Sequence, residues 1–169
     1  MDKKLVNVVA AYAPQVGRST EEKDKFWWDM MELVASYGQG EEVVIGGDLN
    51  GHVGNTAEGY EEVHGGYGYG NRNEEGERIL EFCDALEMNI GNTWFSQEEN
   101  KRITFESGGI KSMIDYLLMR KSEGIQLVGL EALYVGMQHK MVLGDFIMES
   151  REGDSRKKEK RKRRLRTWR

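Results

Sequence analysis

Cysteine, proline and histidine are all scarce in this chain. Cys83 is the only cysteine among 169 residues, which excludes an intrachain disulfide and any zinc site built on cysteine spacing. Any metal would therefore have to be held by oxygen ligands. No apolar run approaches the ~18 residues of a membrane span, and the opening MDKKLVNVVAAYAPQ has too short an apolar stretch and the wrong flanks for a signal peptide. These absences predict a soluble, intracellular protein with no membrane contact. The length fits one domain with a real core and argues against two.

Charge is present in quantity but unevenly placed. The net charge is −5, yet residues 151–169 hold eleven basic and three acidic side chains, a net of +8, which leaves −13 on residues 1–150. The expected organisation is a folded domain over 1–150 and a basic, disordered tail over 151–169. RKKEKRKRRLRTWR, at 156–169, has no apolar periodicity and reads as a solvated extension, a nuclear-localisation run or a phosphate-binding arm.

The single proline, Pro14, stops the β-branched run Leu5 to Tyr12, which reads as a buried strand. Ser19 followed by Glu22 has the spacing of a capping box. It predicts a helix ending at Gly38 with Phe26, Met30, Leu33, Val34 and Tyr37 on its inner face, which Trp27 and Trp28 could extend. Val43-Val44-Ile45 suggests a strand buried on both faces, with Asp48 at its carboxyl end and Asn50 two residues on. Side chains at i and i+2 of an extended segment point the same way, so a carboxylate and an amide could converge on one reacting group. An Asx turn closing the strand is the alternative, which these residue types also favour.

Residues 51–70 hold seven glycines and predict a long mobile loop of the kind that carries function. The GYGYG within it lacks the preceding strand and the spacing of a phosphate-binding glycine string. His52 and His64 lie in the loop without partners at ligand spacing and read as solvated. A second helix is expected over 75–86, with Ile79, Leu80, Phe82, Leu86 and an unreactive Cys83 inward. Strands follow at 88–90, 102–105, 113–119, 125–133 and 142–148, paired antiparallel, with Gly108-Gly109 as a hairpin turn. Two helices among many strands give an α+β fold, a mixed two-sheet β-sandwich flanked by helices. Asp115 stands in an apolar strand, where a charge needs a partner. His139 is the plausible one; the alternative is an Asp capping a turn and an exposed His.

VNVVAAYAPQ, VVIGGDLNGHVG, RITFES, SMIDYLLMR and QHKMVLGDF together resemble, in order and spacing, the motifs of the endonuclease/exonuclease/phosphatase superfamily. NRNEEGERILEFCDALEMNIGNTWF is similar to the endonuclease domain of non-LTR retrotransposons. The resemblance covers roughly residues 5–148 and implies the four-layer sandwich of DNase I and apurinic endonucleases, hydrolysis of DNA phosphodiester bonds, and Mg²⁺ or Mn²⁺ as cofactor. It implies that Tyr12 contacts the scissile phosphate, Asp48 orients or deprotonates water, Asn50 binds phosphate, and Asp115 orients a catalytic His139. Asn71, Arg72 and Asn73 become substrate contacts.

Two departures accompany it. The first strands of the family pattern, with an early Asn and a metal-binding Glu, are missing upstream of residue 5, and Gln138 replaces the acidic residue that usually precedes the histidine. The metal ligands are therefore unknown. The expected partners are DNA in the nucleus and a protein covering the incomplete sheet edge. A catalytically inactive DNA- or chromatin-binding protein that uses the tail is the alternative; a phosphatase on small phosphoesters is a third reading.

Overall fold

Glu42 to Asp48 forms a strand because three consecutive β-branched residues can be buried only between two layers. The computed structural model describes residues 5–148, and in it Val43, Val44 and Ile45 are all buried. This strand, β2 (Glu42–Asp48), lies between β1 (Val6–Tyr12), parallel to it, and β6 (Asp115–Arg120), antiparallel. β3 (Met88–Ile90) completes a mixed sheet of order β1-β2-β6-β3. Gly47, at φ 155°, allows the close approach of β1, since a Cβ there would lie 1.8 Å from the Ala11 carbonyl oxygen.

Helices cover one face of the sheet. α1 (Thr20–Ser36) and α2 (Glu74–Ala85) pack Met30, Val34, Ile79, Leu80, Phe82 and Cys83 against Val43, Ile45, Ile90, Tyr116 and Leu118. Burial pushes the Cys83 thiol far above its ordinary range, so it stays an inert apolar group. The opposite face carries Val44 and Met119, covered by Ile125, Leu127 and Phe146 of the antiparallel hairpin β7 (Ile125–Leu133) and β8 (Met141–Met148). The fold is thus the expected α+β mixed sandwich; the described residues build three layers of it. A short hairpin, β4 (Phe105–Ser107) and β5 (Ile110–Ser112), turns through Gly108 and Gly109 as the sequence suggested, both at positive φ. The tail expected at 151–169 lies outside the described residues.

The elements depart from expectation in instructive places. Ser19 does cap α1, its hydroxyl accepting from the Glu22 N–H, but the Glu22 carboxylate lies 3.9 Å from Arg18 rather than returning to the cap. The carboxyl end of α1 has no basic residue in its last turn; Arg120 of β6 instead donates to the carbonyls of Val34, Gly38 and Glu41. Of the aromatic pair, Trp27 packs against Phe82 while Trp28 is exposed, as is Leu33. The strand expected at 102–105 begins as a single helical turn, α3 (Glu99–Arg102), and extends only from Phe105.

The glycine-rich loop is not a mobile solvated segment. An antiparallel bridge joins Gly54 to Tyr69, and Val53, Val63 and His64 are buried. His64 Nδ1 accepts from the Gly66 N–H at 3.0 Å, which requires the proton on Nε2, 3.1 Å from the Gly54 carbonyl. The reading of His64 as solvated is therefore corrected: the loop folds around its ring. Burial lowers the pKa of His64 below its ordinary value. The unfolded chain binds this proton near pH 6.5 while the folded chain resists it, so stability is held above that pH and lost as pH falls through the folded pKa. Urea unfolding from about pH 7 to 5 should show this loss in the native chain and a shallower one in His64→Gln.

Candidate active site

Three strand ends meet in register. Tyr12 is opposite Asp48 across β1 and β2, and Asp48 is opposite Asp115 across β2 and β6, so all three side chains emerge on the sheet face away from the helices. Tyr12 and Asp48 line a cleft of about 640 Å³ whose wall also includes Asn50, Asn71, Gln138 and His139.

His139 comes from a distant part of the chain, just before β8. Backbone pairing with β4 holds it there: the Glu106 N–H donates to the Gln138 carbonyl, the Lys140 N–H to the Thr104 carbonyl, and Phe105 and His139 form a bridge. The Phe105 ring meets the imidazole edge to face, with centroids 4.8 Å apart. Nδ1 of His139 lies 3.2 and 3.1 Å from the two Asp115 oxygens. An ionised carboxylate only accepts, so Nδ1 carries the proton and Nε2 faces the other way. There it stands 3.9 Å from Asp48 Oδ2. That gap is too long for a direct hydrogen bond and suits an oxygen atom bonded to both groups.

Asp48 is locked from behind. Its Oδ1 accepts from the Asn50 N–H at 2.9 Å, its backbone carbonyl accepts from the Ala13 N–H, and Asn50 Nδ2 donates to the Ala13 carbonyl at 2.8 Å. The Asx turn expected of these residues is thus formed on one carboxylate oxygen, Oδ1. Asn50 is left-handed, at φ 49°, so it reaches the cleft through a turn and not through the extended geometry expected of i and i+2. Only 10% of the Asp48 side chain is exposed. Burial raises its pKa most; the Asn50 N–H opposes this, Asp115 adds to it, and His139 opposes it.

Two buried polar side chains that sequence reading missed hold Asp115. Thr104 Oγ1 accepts from the N–H groups of both Ile114 and Asp115 at 3.0 Å. Asn92 spans β6 where β3 has ended, donating to the Asp115 carbonyl at 3.1 Å and accepting from Leu117 at 2.8 Å. Their one sequence signal was polarity inside apolar stretches.

The remaining candidates divide. Tyr12 is 64% exposed at the rim, and Asn71 lines the cleft. Gln138 lines it too, its amide donating to Ser107 Oγ. Arg72 is turned into its own loop, bonded to Glu77 and to the carbonyls of Val53, Thr56 and Glu58 and stacked on Tyr60. Asn73 is the N-cap of α2, accepting from the Gly76 N–H. Neither side chain is brought to the cleft, because local backbone donors and acceptors claim both.

Ligand atoms of Asp48, Asp115 and His139 lie within 4.8 Å of one another. Mg²⁺ prefers oxygen, and both Asp115 oxygens face His139, which leaves Asp48 Oδ2 as the available carboxylate oxygen of the cluster. Asp48 Oδ2 is thus the oxygen of the set that could hold a hard cation. Thr104→Val, which strands two buried N–H groups, should lower unfolding free energy by about 2 kcal/mol in urea titrations. Asp48→Asn keeps the acceptor for Asn50 and removes a charge whose folded pKa is raised. That charge costs stability above the folded pKa, so the variant should be more stable than the native chain at neutral pH in calorimetry without divalent ions.

No family model matches the chain. Over 118 residues, 69% of this chain and 20% of the relative, it is 30% identical to craniofacial development protein 2 of Bos taurus. It is 29% identical over the same length and shares to craniofacial development protein 2 of Tragulus javanicus. The chain spans about a fifth of the length of the curated relatives it matches, and the similarity is a distant one.

Proposed function

We propose that this chain is a hydrolase domain that cuts phosphodiester bonds in DNA with Mg²⁺, or Mn²⁺ in its place. The observation that carries the reading is the gathering of Asp48, Asp115 and His139, far apart in sequence, at one cleft. The motif resemblance to apurinic and retrotransposon endonucleases supports the same chemistry.

Phosphodiester hydrolysis needs a positioned water, charge neutralisation on the phosphoryl oxygens and stabilisation of the leaving group. Asp48 Oδ2 is the group to orient and deprotonate the water, and its raised pKa moves it towards that task. His139 presents Nε2 to a phosphoryl oxygen. Asp115 holds its tautomer and stabilises the imidazolium, which is the role of a buried carboxylate behind a histidine. Asn50 and Tyr12 at the wall position the phosphate. A divalent ion would be held by Asp48 with water and phosphate oxygens and would supply Lewis-acid neutralisation of the phosphoryl charge.

A DNA-binding protein without catalysis is the second reading. It is favoured by the contrast between the +8 of residues 151–169 and the −13 of the rest. The same basic run supports a nuclear location in either case. A protein partner fits the open edge of β1, where Val8 is 77% exposed.

Nicking of supercoiled plasmid should require Mg²⁺ or Mn²⁺ and fall by about 10²–10⁴-fold in Asp48→Asn and in His139→Ala. Metal-independent nicking, or an unaffected Asp48 variant, would rule out this mechanism. Salt-dependent DNA binding that vanishes on deleting residues 151–169, with no nicking in either metal, selects the second reading.

A further inference from the structure

We propose that His52 is a phosphate-contacting residue of the same cleft, receiving a backbone phosphate of the bound nucleic acid. This rests on the hydrolytic reading for its substrate class and adds to it a residue that the motifs did not point to. From sequence His52 reads as a solvated loop histidine. Instead it lines the cleft with Asp48, Asn50, Asn71 and His139, half-buried.

Its backbone is held from both sides. The His52 N–H donates to Asn73 Oδ1 at 2.8 Å, and the Asn73 N–H donates to the His52 carbonyl at 3.0 Å. The first turn of α2 packs directly behind it: a Cβ on Gly76 would lie 1.8 Å from the His52 oxygen. Asn73 therefore acts through His52, as a positioning residue. The imidazole itself makes no hydrogen bond or ion pair with any described residue, although the backbone beneath it is fixed. A donor fixed in this way is suited to an external acceptor.

The cleft supplies the reason for an anion. Asp48 places a carboxylate on its wall, Asp115 lies opposite Asp48 on the neighbouring strand, and Lys111, the lysine on the cleft wall, lies 3.9 Å from Glu106. A polyanionic substrate needs further donors close to these acids. Imidazole can donate to a phosphate oxygen whether neutral, through one nitrogen, or charged, through both. Beside it, Asn71 offers an amide to the same phosphate.

With only three histidines in the chain, imidazole NMR resonances can be assigned by single substitution. The probe is the dinucleotide d(TpT), added to the full chain without divalent ions so that nothing is hydrolysed. Saturable movement of the His52 resonances, with those of the buried His64 unmoved, is the expected result. In His52→Gln the apparent affinity should weaken about tenfold. His52 resonances that stay still while those of His139 move would overturn the proposal, and so would stillness in both. Movement of His52 in a chain that nicks no plasmid would sustain the phosphate contact while removing the hydrolytic reading.

Discussion

The pairing of β2 with β6 is the constraint on which the cleft depends, because its register sets Asp48 directly opposite Asp115. Two carboxylates on neighbouring strands repel, and burial makes each charge costly. The structure offsets this unevenly. Asp115 faces the His139 imidazole with both oxygens, whereas Asp48 has a backbone N–H on one oxygen and leaves the other to the cleft. The two adjacent acids therefore sit in unequal environments, one facing an imidazole and the other with an oxygen turned to the cleft.

That asymmetry is maintained by buried residues behind the two acids. Thr104 ties the backbone of Asp115 to the segment that pairs with His139, so carboxylate and imidazole are positioned by one short stretch, Thr104 to Phe105. Asn92 replaces the missing neighbour of β6 after β3 stops. Tyr116, on the opposite face, lies within hydrogen-bond distance of the carbonyls of Gly51 and Met113 and anchors the loop that carries His52. Rigid support beneath a partly exposed imidazole is what allows a 3.9 Å gap to be kept open.

The two faces of the sheet differ in completeness. Helices seal one side, where Val43, Ile45, Ile79, Leu80 and Leu118 are fully buried. On the other, the β7–β8 hairpin covers Val44 and Met119 but leaves Val8 and Tyr12 of the edge strand open. Among the described residues the two faces of the sheet are therefore covered unequally. Tyr12 belongs to both features, as the last residue of the open strand and the rim of the cleft.

Much of this was legible from residue order alone. Periodicity and caps located α1, α2, β1, β2, β7 and β8 to within a residue or two, and the isolated charge of Asp115 in an apolar strand announced a partner. What pattern could not supply was the fate of polar side chains near glycine. His52 and His64 looked alike in one loop, yet His64 is enclosed by backbone partners and His52 faces the cleft. Arg72 and Asn73 looked like substrate contacts and are consumed by local bonds. Local propensity and hydrophobic period act over a few residues, so sequence by itself determined the elements and the chemical types available. Register, and with it the meeting of residues 48, 115 and 139, is settled by long-range pairing, and only the tertiary structure decided which polar groups were left free.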